Sequence, residues 1–464
     1  MAKTGKDSKA RWSERDRERV WHAMSGHDRK ATTMVVAEAD GAWITDVDGN
    51  RYLDGMAGQW CVNVGYGRED LARAAYDQLV AMPFYPLVQG HKPAIELSEK
   101  LNEWLGGDYV YFYTNSGSEA NETALKVVRQ YHQQNGEPGR WKFVSRYRAY
   151  HGSTYGALAA TGHAGRKHRY EPLSPGFIHV APPDRYRCAY CADRPACDLQ
   201  CAGEIGRVIN WELAETVAGV VMEPMITGGG MIPAPRGYVE EVADICEKTG
   251  ALLIVDEVIC GFGRTGKRFG FQHHGVQPDI VTMAKGITSG YQPLGVTAVK
   301  RELFEKFGEE DRFGRLRHIS TFGGHPAACA VAVRNMEILE SEDLVERAAK
   351  MGLGLRVRLQ KLEEIPGVGE VRGRGMIYGI ELVEDKESKK PAGAERVNEV
   401  VAGCKERGLI LGKTFDTAPG FDNVITLCPP LNVTEEDVDF IVGVLEESLS
   451  EGADAGRPQR PPTA

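Results

Sequence analysis

Ala251-Leu-Leu-Ile-Val255, followed by Asp256, is the stretch that decides the fold. Five consecutive apolar residues are too few for a helix of ordinary length. They suit a strand covered on both faces, the pattern of a parallel sheet. Two similar runs flank it, Ala218-Gly-Val-Val-Met222 and Ile280-Val-Thr-Met283. Helix-patterned stretches separate the runs, and this alternation predicts an α/β architecture with a mainly parallel sheet. Ligands of such sheets sit beyond the carboxyl ends of the strands. The groups next after the three runs are Glu223, Asp256 and, past Ala284, Lys285. Three polar or ionisable side chains in three equivalent places predict one site.

The segment upstream adds a cradle. Asn115-Ser116-Gly117-Ser118-Glu119 stands between the aromatic run Tyr109 to Tyr113 and a helix-patterned segment, Ala120 to Gln133. Ser116 and Glu119 fit a capping box, the hydroxyl meeting a free backbone N–H and the carboxylate reaching back. Small residues leave N–H groups and hydroxyls bare at the positive end of that helix, which makes an anion site. Taken alone, the motif is an ordinary capped helix. Gly261-Phe-Gly263-Arg-Thr-Gly266 matches the dinucleotide fingerprint G-x-G-x-x-G, but the following Lys267 to Gly275 has turn residues and no helical apolar face. Asp256 and Glu257 also intervene before the glycines, so a nicotinamide site is rejected.

A lysine at the end of a buried strand is costly to keep charged. Its pKa should fall, and its amine become a nucleophile toward aldehydes. Lys285 lies in Thr282-Met-Ala-Lys-Gly-Ile287, among small and apolar residues. Position alone would suit a lysine that reaches out to solvent, and Asp256 alone would suit a helix cap or a metal ligand. Together, on consecutive strand–helix units, they form the pair that pyridoxal phosphate needs: an amine for its aldehyde and a carboxylate for its pyridinium nitrogen.

At this point a family resemblance becomes specific. Leu253-Ile-Val-Asp-Glu-Val-Ile-Cys-Gly-Phe-Gly-Arg-Thr-Gly266 and Pro278-Asp-Ile-Val-Thr-Met-Ala-Lys-Gly286 closely resemble the signature of class III (ω-amino) aminotransferases. Asn115 to Asn121, Tyr150-His-Gly152, Thr321-Phe-Gly-Gly-His-Pro326 and Cys428-Pro-Pro-Leu431 match further family blocks in order, over roughly residues 15 to 448. The resemblance implies fold type I of pyridoxal-phosphate enzymes, a homodimer or dimer of dimers with active sites at the subunit interface. It implies that Ser116, Gly117 and Ser118 hold the phosphate, and that Tyr150, with His151 beside it, stacks on the ring. Asp256 would pair with the ring nitrogen, Val258 would pack on the other face and Lys285 would bind the aldehyde. Thr321 would reach the phosphate of the neighbouring subunit. Trp60 would line the substrate pocket, and Glu223 would stand near the cofactor or the pocket rim. For Trp60 and Tyr150 the plain alternative is a core aromatic.

The implied reaction moves an amino group between an amine and a keto acid, with ping-pong kinetics. Met56-Ala-Gly-Gln-Trp-Cys-Val-Asn-Val-Gly-Tyr-Gly67, Met82-Pro-Phe-Tyr-Pro86 and Ala181-Pro-Pro-Asp-Arg-Tyr-Arg-Cys188 look most like taurine–pyruvate aminotransferases. Many ω-amine relatives carry an arginine shortly before the Pro-Pro pair, where it meets substrate carboxylate. Thr414-Phe-Asp-Thr-Ala-Pro-Gly-Phe-Asp-Asn423 has none. Arg166 and Lys413 are the candidates to replace it. Taurine, β-alanine, a diamine or an aryl amine remain open as donor, and an aminomutase or decarboxylase on the same fold remains open as the activity.

From about residue 331 the pattern changes. Helical stretches, Ala328 to Glu340 and Leu344 to Leu362, lead to strand-like segments within Gly369 to Leu382 and a helical pattern from Glu395 to Arg407. These read as a smaller α+β domain. Ala42 to Leu53 reads as a hairpin around an Asp48-Gly49 turn and is assigned to the same domain. The expected limits are a disordered tail over 1–12, small-domain residues 13–75, a large cofactor-binding domain over 76–330, small-domain residues 331–450 and a second tail over 451–464.

Composition bounds the rest. The chain has 464 residues, 42% apolar and 26% charged, with a formal charge of -9. That is the balance of a globular protein, and it advertises no nucleic-acid surface. The N-terminal residues form no apolar leader and no apolar run is long enough to span a bilayer, so no membrane association and a cytoplasmic location are expected. Four of the ten cysteines, Cys188, Cys191, Cys197 and Cys201, fall within one Pro/Asp-rich loop. Their spacing suits either a structural zinc site or a loop of free thiols.

Overall fold

The computed structural model of the protein describes residues 9–27, 34–192, 194 and 196–451. A seven-stranded sheet forms its centre. In spatial order the strands are Tyr109–Thr114, Gly295–Lys300, Ile280–Met283, Leu252–Asp256, Val217–Met222, Lys142–Arg146 and Phe177–Val180. Six run parallel, and Gly295–Lys300 is antiparallel to both of its neighbours.

Val217–Met222 and Ile280–Met283 are buried at every position, which is why their sequences are continuous apolar runs rather than alternating ones. The helix Gly117–Gln134 covers one face. Its Ala124, Leu125, Val127 and Val128 pack with Phe143, Ala218, Val221, Ile254 and Ile280 from four strands. Each large apolar side chain so buried contributes about 1.5–3 kcal/mol.

The strand register then places the site. Val255 pairs with Met222 and Asp256 with Thr282, so the carboxyl ends of three strands finish side by side. Gly295 starts the antiparallel strand against Thr114, and a Cβ there would fall 2.3 Å from the Ser116 carbonyl oxygen. Only glycine lets the end of the sheet close on the helix start.

The hairpin over residues 42–53 forms as expected. Trp43–Asp46 pairs with Arg51–Asp54, and the Asp46 carboxylate accepts from Asp48 N and Asn50 N at 2.9 Å each, with Gly49 at φ 87°. Arg51–Asp54 also pairs in parallel with Leu409–Ile410, tying this segment to the C-terminal part of the chain. Val368–Arg374, Ile377–Asp385, Val424–Leu427 and Gly412–Lys413 form a separate antiparallel sheet, extended at one side by Lys390–Pro391. Helices Pro326–Ser341, Leu344–Gln360, Ala394–Glu406 and Glu435–Ser450 accompany it.

The N-terminal tail needs correction. A helix, Lys9–Arg19, begins inside the 1–12 stretch, so its last four residues are ordered as helix. Residues 1–8 and 452–464 lie outside the described part. Among the described residues no helix is long and apolar enough to cross a membrane.

Candidate active site

Asp256 is the last residue of its strand and is 4% exposed. Its Oδ1 accepts from Val258 N at 3.0 Å, and its Oδ2 accepts from Asn121 Nδ2 at 2.8 Å. His151 Nδ1 stands 2.9 Å from the same Oδ2. Asn121 also donates to the His151 carbonyl at 2.7 Å and accepts from Thr282 Oγ1 at 2.8 Å. One amide thus joins the helix, two strand ends and the 150–152 loop. Asn121 was not among the expected site residues; an amide on the inner face of the helix after the cradle was its only mark.

Lys285 follows the neighbouring strand in a single 3-10 turn, Lys285–Ile287, with φ at 50°. A left-handed lysine is strained, and such strain gathers at functional positions. Burial holds its amine below the ordinary lysine range, against the opposing pull of Cys61, Asp256, Glu223 and Cys428. Among the described residues the amine has no hydrogen-bond or ion-pair partner. It lies 5.1 Å from the centroid of the Trp60 ring.

Trp60 arrives there on an unusual turn. Ala57, Gly58, Gln59 and Trp60 have φ of 44°, 55°, 63° and 66°, a left-handed turn that costs roughly 1–2 kcal/mol per non-glycine residue. Asp54 offsets that cost. Its Oδ1 accepts from Met56 N at 2.9 Å, and its Oδ2 accepts from Gly58 N and Tyr66 Oη at 2.7 Å each. Trp60 and Val258 both pack on one apolar cluster that includes Met225, Met231 and Cys428.

The cradle forms at the start of the Gly117–Gln134 helix. Ser116 caps it, accepting from Glu119 N at 3.3 Å. The reciprocal half of the box differs by one residue: the Glu119 carboxylate accepts from Asn115 N at 2.8 Å, and this braces the loop instead of the cap. The N–H groups of Gly117 and Ser118 have no intrahelical acceptor, as at any helix start. A Cβ on Gly117 would lie 2.8 Å from Val258 Cγ2, so glycine brings the cradle against the strand end that carries Asp256. Ser118 Oγ accepts from Ser153 N at 3.2 Å, and Ser153 Oγ is 2.8 Å from the Tyr150 hydroxyl.

Glu223 is 3% exposed and faces the backbone. Its Oε1 accepts from Tyr150 N at 3.2 Å and its Oε2 from Thr227 N at 2.9 Å. Burial pushes its carboxyl up, with His151 pulling the other way. It supports the Tyr150 loop. Thr321 is exposed, while its neighbour Ser320 accepts from Asn115 at 3.0 Å beside the cradle. Of the two candidate cations, Lys413 donates to Asn398 on the Ala394–Glu406 helix, and Arg166 stacks on Tyr150 with its Cζ 5.0 Å from the ring centroid.

Of the two readings of the cysteine loop, the zinc site finds no support: among the described residues no set of three or more His, Cys, Asp or Glu side chains is arranged to hold a metal ion. Cys191 Sγ and Cys197 Sγ approach to 3.7 Å, and all four cysteines of the loop are free thiols joined to the apolar core. Burial raises the Cys191 thiol and pushes Cys201 up to about 12.

The family described as Aminotransferase class-III matches residues 24–449. An uncharacterized aminotransferase of Bacillus subtilis, YhxA, is 60% identical over 94% of this chain and 96% of its own. A taurine–pyruvate aminotransferase of Bilophila wadsworthia is 41% identical, with the same coverage of 94% and 96%. Among solved structures, an aminotransferase of Bacillus anthracis superposes with a TM-score of 0.93 at 52% identity, covering 97% of this chain and 100% of that one.

Proposed function

The chain belongs to the class III aminotransferases, and from that premise we propose that it passes the amino group of an ω-amino donor, such as taurine or β-alanine, to pyruvate, yielding an aldehyde and alanine. Pyridoxal phosphate is the cofactor expected of the family, and the residues present fit it. Lys285 offers an amine of lowered pKa that has no partner among the described residues. Asp256 spends three acceptor positions on Val258, Asn121 and His151, and a carboxylate has about four. The Gly117 and Ser118 N–H groups stand at a helix start, where a phosphate docks.

When bound, the cofactor supplies an aldehyde that takes up the donor's amino group and a ring that accepts electrons. Ser116, Gly117 and Ser118 would hold its phosphate, Tyr150 and Val258 would flank its ring, and Asp256 would keep a proton at the ring nitrogen. Lys285 would hold the aldehyde at rest and, once the donor displaces it, would take the proton from the amine-bearing carbon. A neutral amine is required for that, and burial shifts Lys285 toward that form. His151 and Asn121 keep the Asp256 carboxylate in one orientation.

We read the working unit as a homodimer, with Thr321 serving the phosphate of the partner's site. Phe84, Tyr85, Leu87, Val88, Ile319 and Phe322 are exposed, and the Phe84 and Phe322 rings lie 5.6 Å apart, so these apolar side chains share a surface. The division into a large domain over 76–330 and a small one from 13–75 and 331–450 belongs to the same reading, supported by the pairing of Arg51–Asp54 with Leu409–Ile410. A cytoplasmic location is part of it.

The observation that carries the proposal is the Lys285 amine beside Trp60, unpaired among the described residues, with the thrice-bonded Asp256 on the adjoining strand end. The test is borohydride reduction of the protein loaded with pyridoxal phosphate, followed by peptide mapping. The label should sit on Lys285, and Lys285→Ala should lose both the label and alanine formation from taurine and pyruvate. Labelling elsewhere, or turnover by the variant, would refute the assignment.

A further inference from the structure

The loop between strand Phe177–Val180 and helix Gln200–Trp211 brings thiols into contact. Cys191 Sγ and Cys197 Sγ lie 3.7 Å apart, and Cys188 hydrogen-bonds Cys191. A disulfide needs about 2.05 Å between its sulfurs, so the first pair must close by roughly 1.7 Å, within reach of side-chain rotation. Five residues intervene between the two in the chain, which keeps the closure local.

One arginine holds the loop in this shape. Arg185 Nη1 donates to the Cys191 carbonyl and stands 3.7 Å from Cys191 Sγ, while its Nη2 donates to the Arg194 carbonyl at 2.6 Å. The start of the loop is moored as well. Asp184 pairs with Arg148, Arg187 pairs with Glu381, and Lys389 donates to the Tyr186 carbonyl at 3.1 Å. The two sulfurs can therefore meet without the loop refolding.

The rest of the loop faces solvent. Ala189, Arg194, Ala196, Asp198 and Gln200 are exposed, and Cys197 is half-buried, whereas Cys191 is 3% exposed. A small oxidant in water reaches Cys197 first. Burial raises the Cys191 thiol, as do its contacts with Cys188 and Cys197. Cys191 is thus a poor first target and is well placed as the second partner.

We propose that Cys191 and Cys197 form a reversible oxidation site, converted to a disulfide by a hydroperoxide and restored by a dithiol. The Cys197 sulfur attacks one peroxide oxygen. The O–O bond breaks, the sulfur becomes a sulfenic acid, and the other oxygen leaves with the thiol proton. The Cys191 sulfur then attacks that of Cys197; the S–O bond breaks, and the departing oxygen takes the Cys191 proton and leaves as water. The two thiols lose two electrons together, and the peroxide gains them. On the cytoplasmic reading above, such a bond is transient and serves redox sensing. The proposal is independent of the transaminase reading.

The experiment treats the reduced protein, loaded with pyridoxal phosphate, with one equivalent of hydrogen peroxide. Its mass should fall by about 2 Da. Thiols titrated in denaturant should drop by two from the ten of the sequence. Cleavage before aspartate parts the two cysteines at Asp193, so unreduced digests should show peptides 184–192 and 193–197 joined, and dithiothreitol should separate them. Cys188→Ser should keep the link. Cys191→Ser should lose it and stop at a sulfenic acid on Cys197, which dimedone labels.

A protein that keeps all its thiols, a link through Cys188 or Cys201, or oxidation of Cys197 without a link in wild type overturns the proposal. So do thiols that react only after a chelator is added, which would assign these sulfurs to a metal ion. None of these outcomes bears on Lys285.

Discussion

His151 Nδ1 lies 2.9 Å from Asp256 Oδ2, and Asn121 closes the pair by donating to that same oxygen and to the His151 carbonyl. A carboxylate has no proton to offer, so Nδ1 carries the hydrogen. The triangle is buried: His151 is 2% exposed and Asn121 3%. Its members stand or fall together.

Asp256→Ala should therefore cost more than its own contacts. It leaves the donors of Asn121, His151 and Val258 unpaired, at about 1–3 kcal/mol for each buried one. Asp256→Asn keeps an acceptor and should retain most of the stability while slowing turnover about a hundredfold or more, because it cannot hold a proton at the ring nitrogen. Denaturant midpoints and steady-state rates measured side by side check both. Equal stability of the two variants would contradict the network.

Lys285 has a stability signature in the cofactor-free protein. Burial lowers its folded-state pKa below the unfolded value, so the unfolded chain binds more protons between the two. That penalty is fully present below the folded pKa and fades as pH rises toward the ordinary lysine value. Lys285→Met removes it. The variant should melt above wild type at neutral pH, with the difference closing in alkaline buffer; a difference independent of pH would show the amine is not the cause.

Asp54 holds the left-handed turn that carries Trp60, through Met56 N, Gly58 N and the Tyr66 hydroxyl. Asp54→Ala should destabilise the protein by about 2–3 kcal/mol, the cost of leaving these groups unpaired while the turn stays strained. Urea unfolding reads it directly. Stability within about 0.5 kcal/mol of wild type would mean the turn needs no such support.

Gly117 and Val258 are complementary in space. A methyl group at 117 would press on Val258 Cγ2 at 2.8 Å. Gly117→Ala should weaken pyridoxal-phosphate binding about tenfold or more by prising the cradle from the strand end. Val258→Ala added to it should restore part of the affinity, a coupling that equilibrium titration of the four proteins can measure. Simple additivity would rule out the contact.

The central sheet is legible in the order of residues alone. Val217–Met222 and Ile280–Met283 are buried on both faces, so local composition marks them as strands. Their ends mark Glu223 and Lys285, the run Ala251 to Val255 marks Asp256 in the same way, and Ser116 marks the helix start, because a strand end and a cap are short-range features. The hairpin turn at Asp48-Gly49 is readable for the same reason.

What long-range packing decides cannot be read this way. No local propensity predicts left-handed backbone at Ala57, Gln59 and Trp60; Asp54 and the packing of Trp60 with Met225 and Cys428 impose it. Asn121 acquires its role only where the sheet register sets Thr282 and Asp256 beside it. Spacing makes the four cysteines of one loop resemble a metal site, but among the described residues their side chains are not arranged to hold a metal ion. Arg166 and Lys413 are equal candidates in sequence, and only the tertiary structure shows Lys413 engaged by Asn398 and Arg166 set over the Tyr150 ring. Chain order records which groups are available, and the direction in which each side chain points depends on neighbours hundreds of residues away.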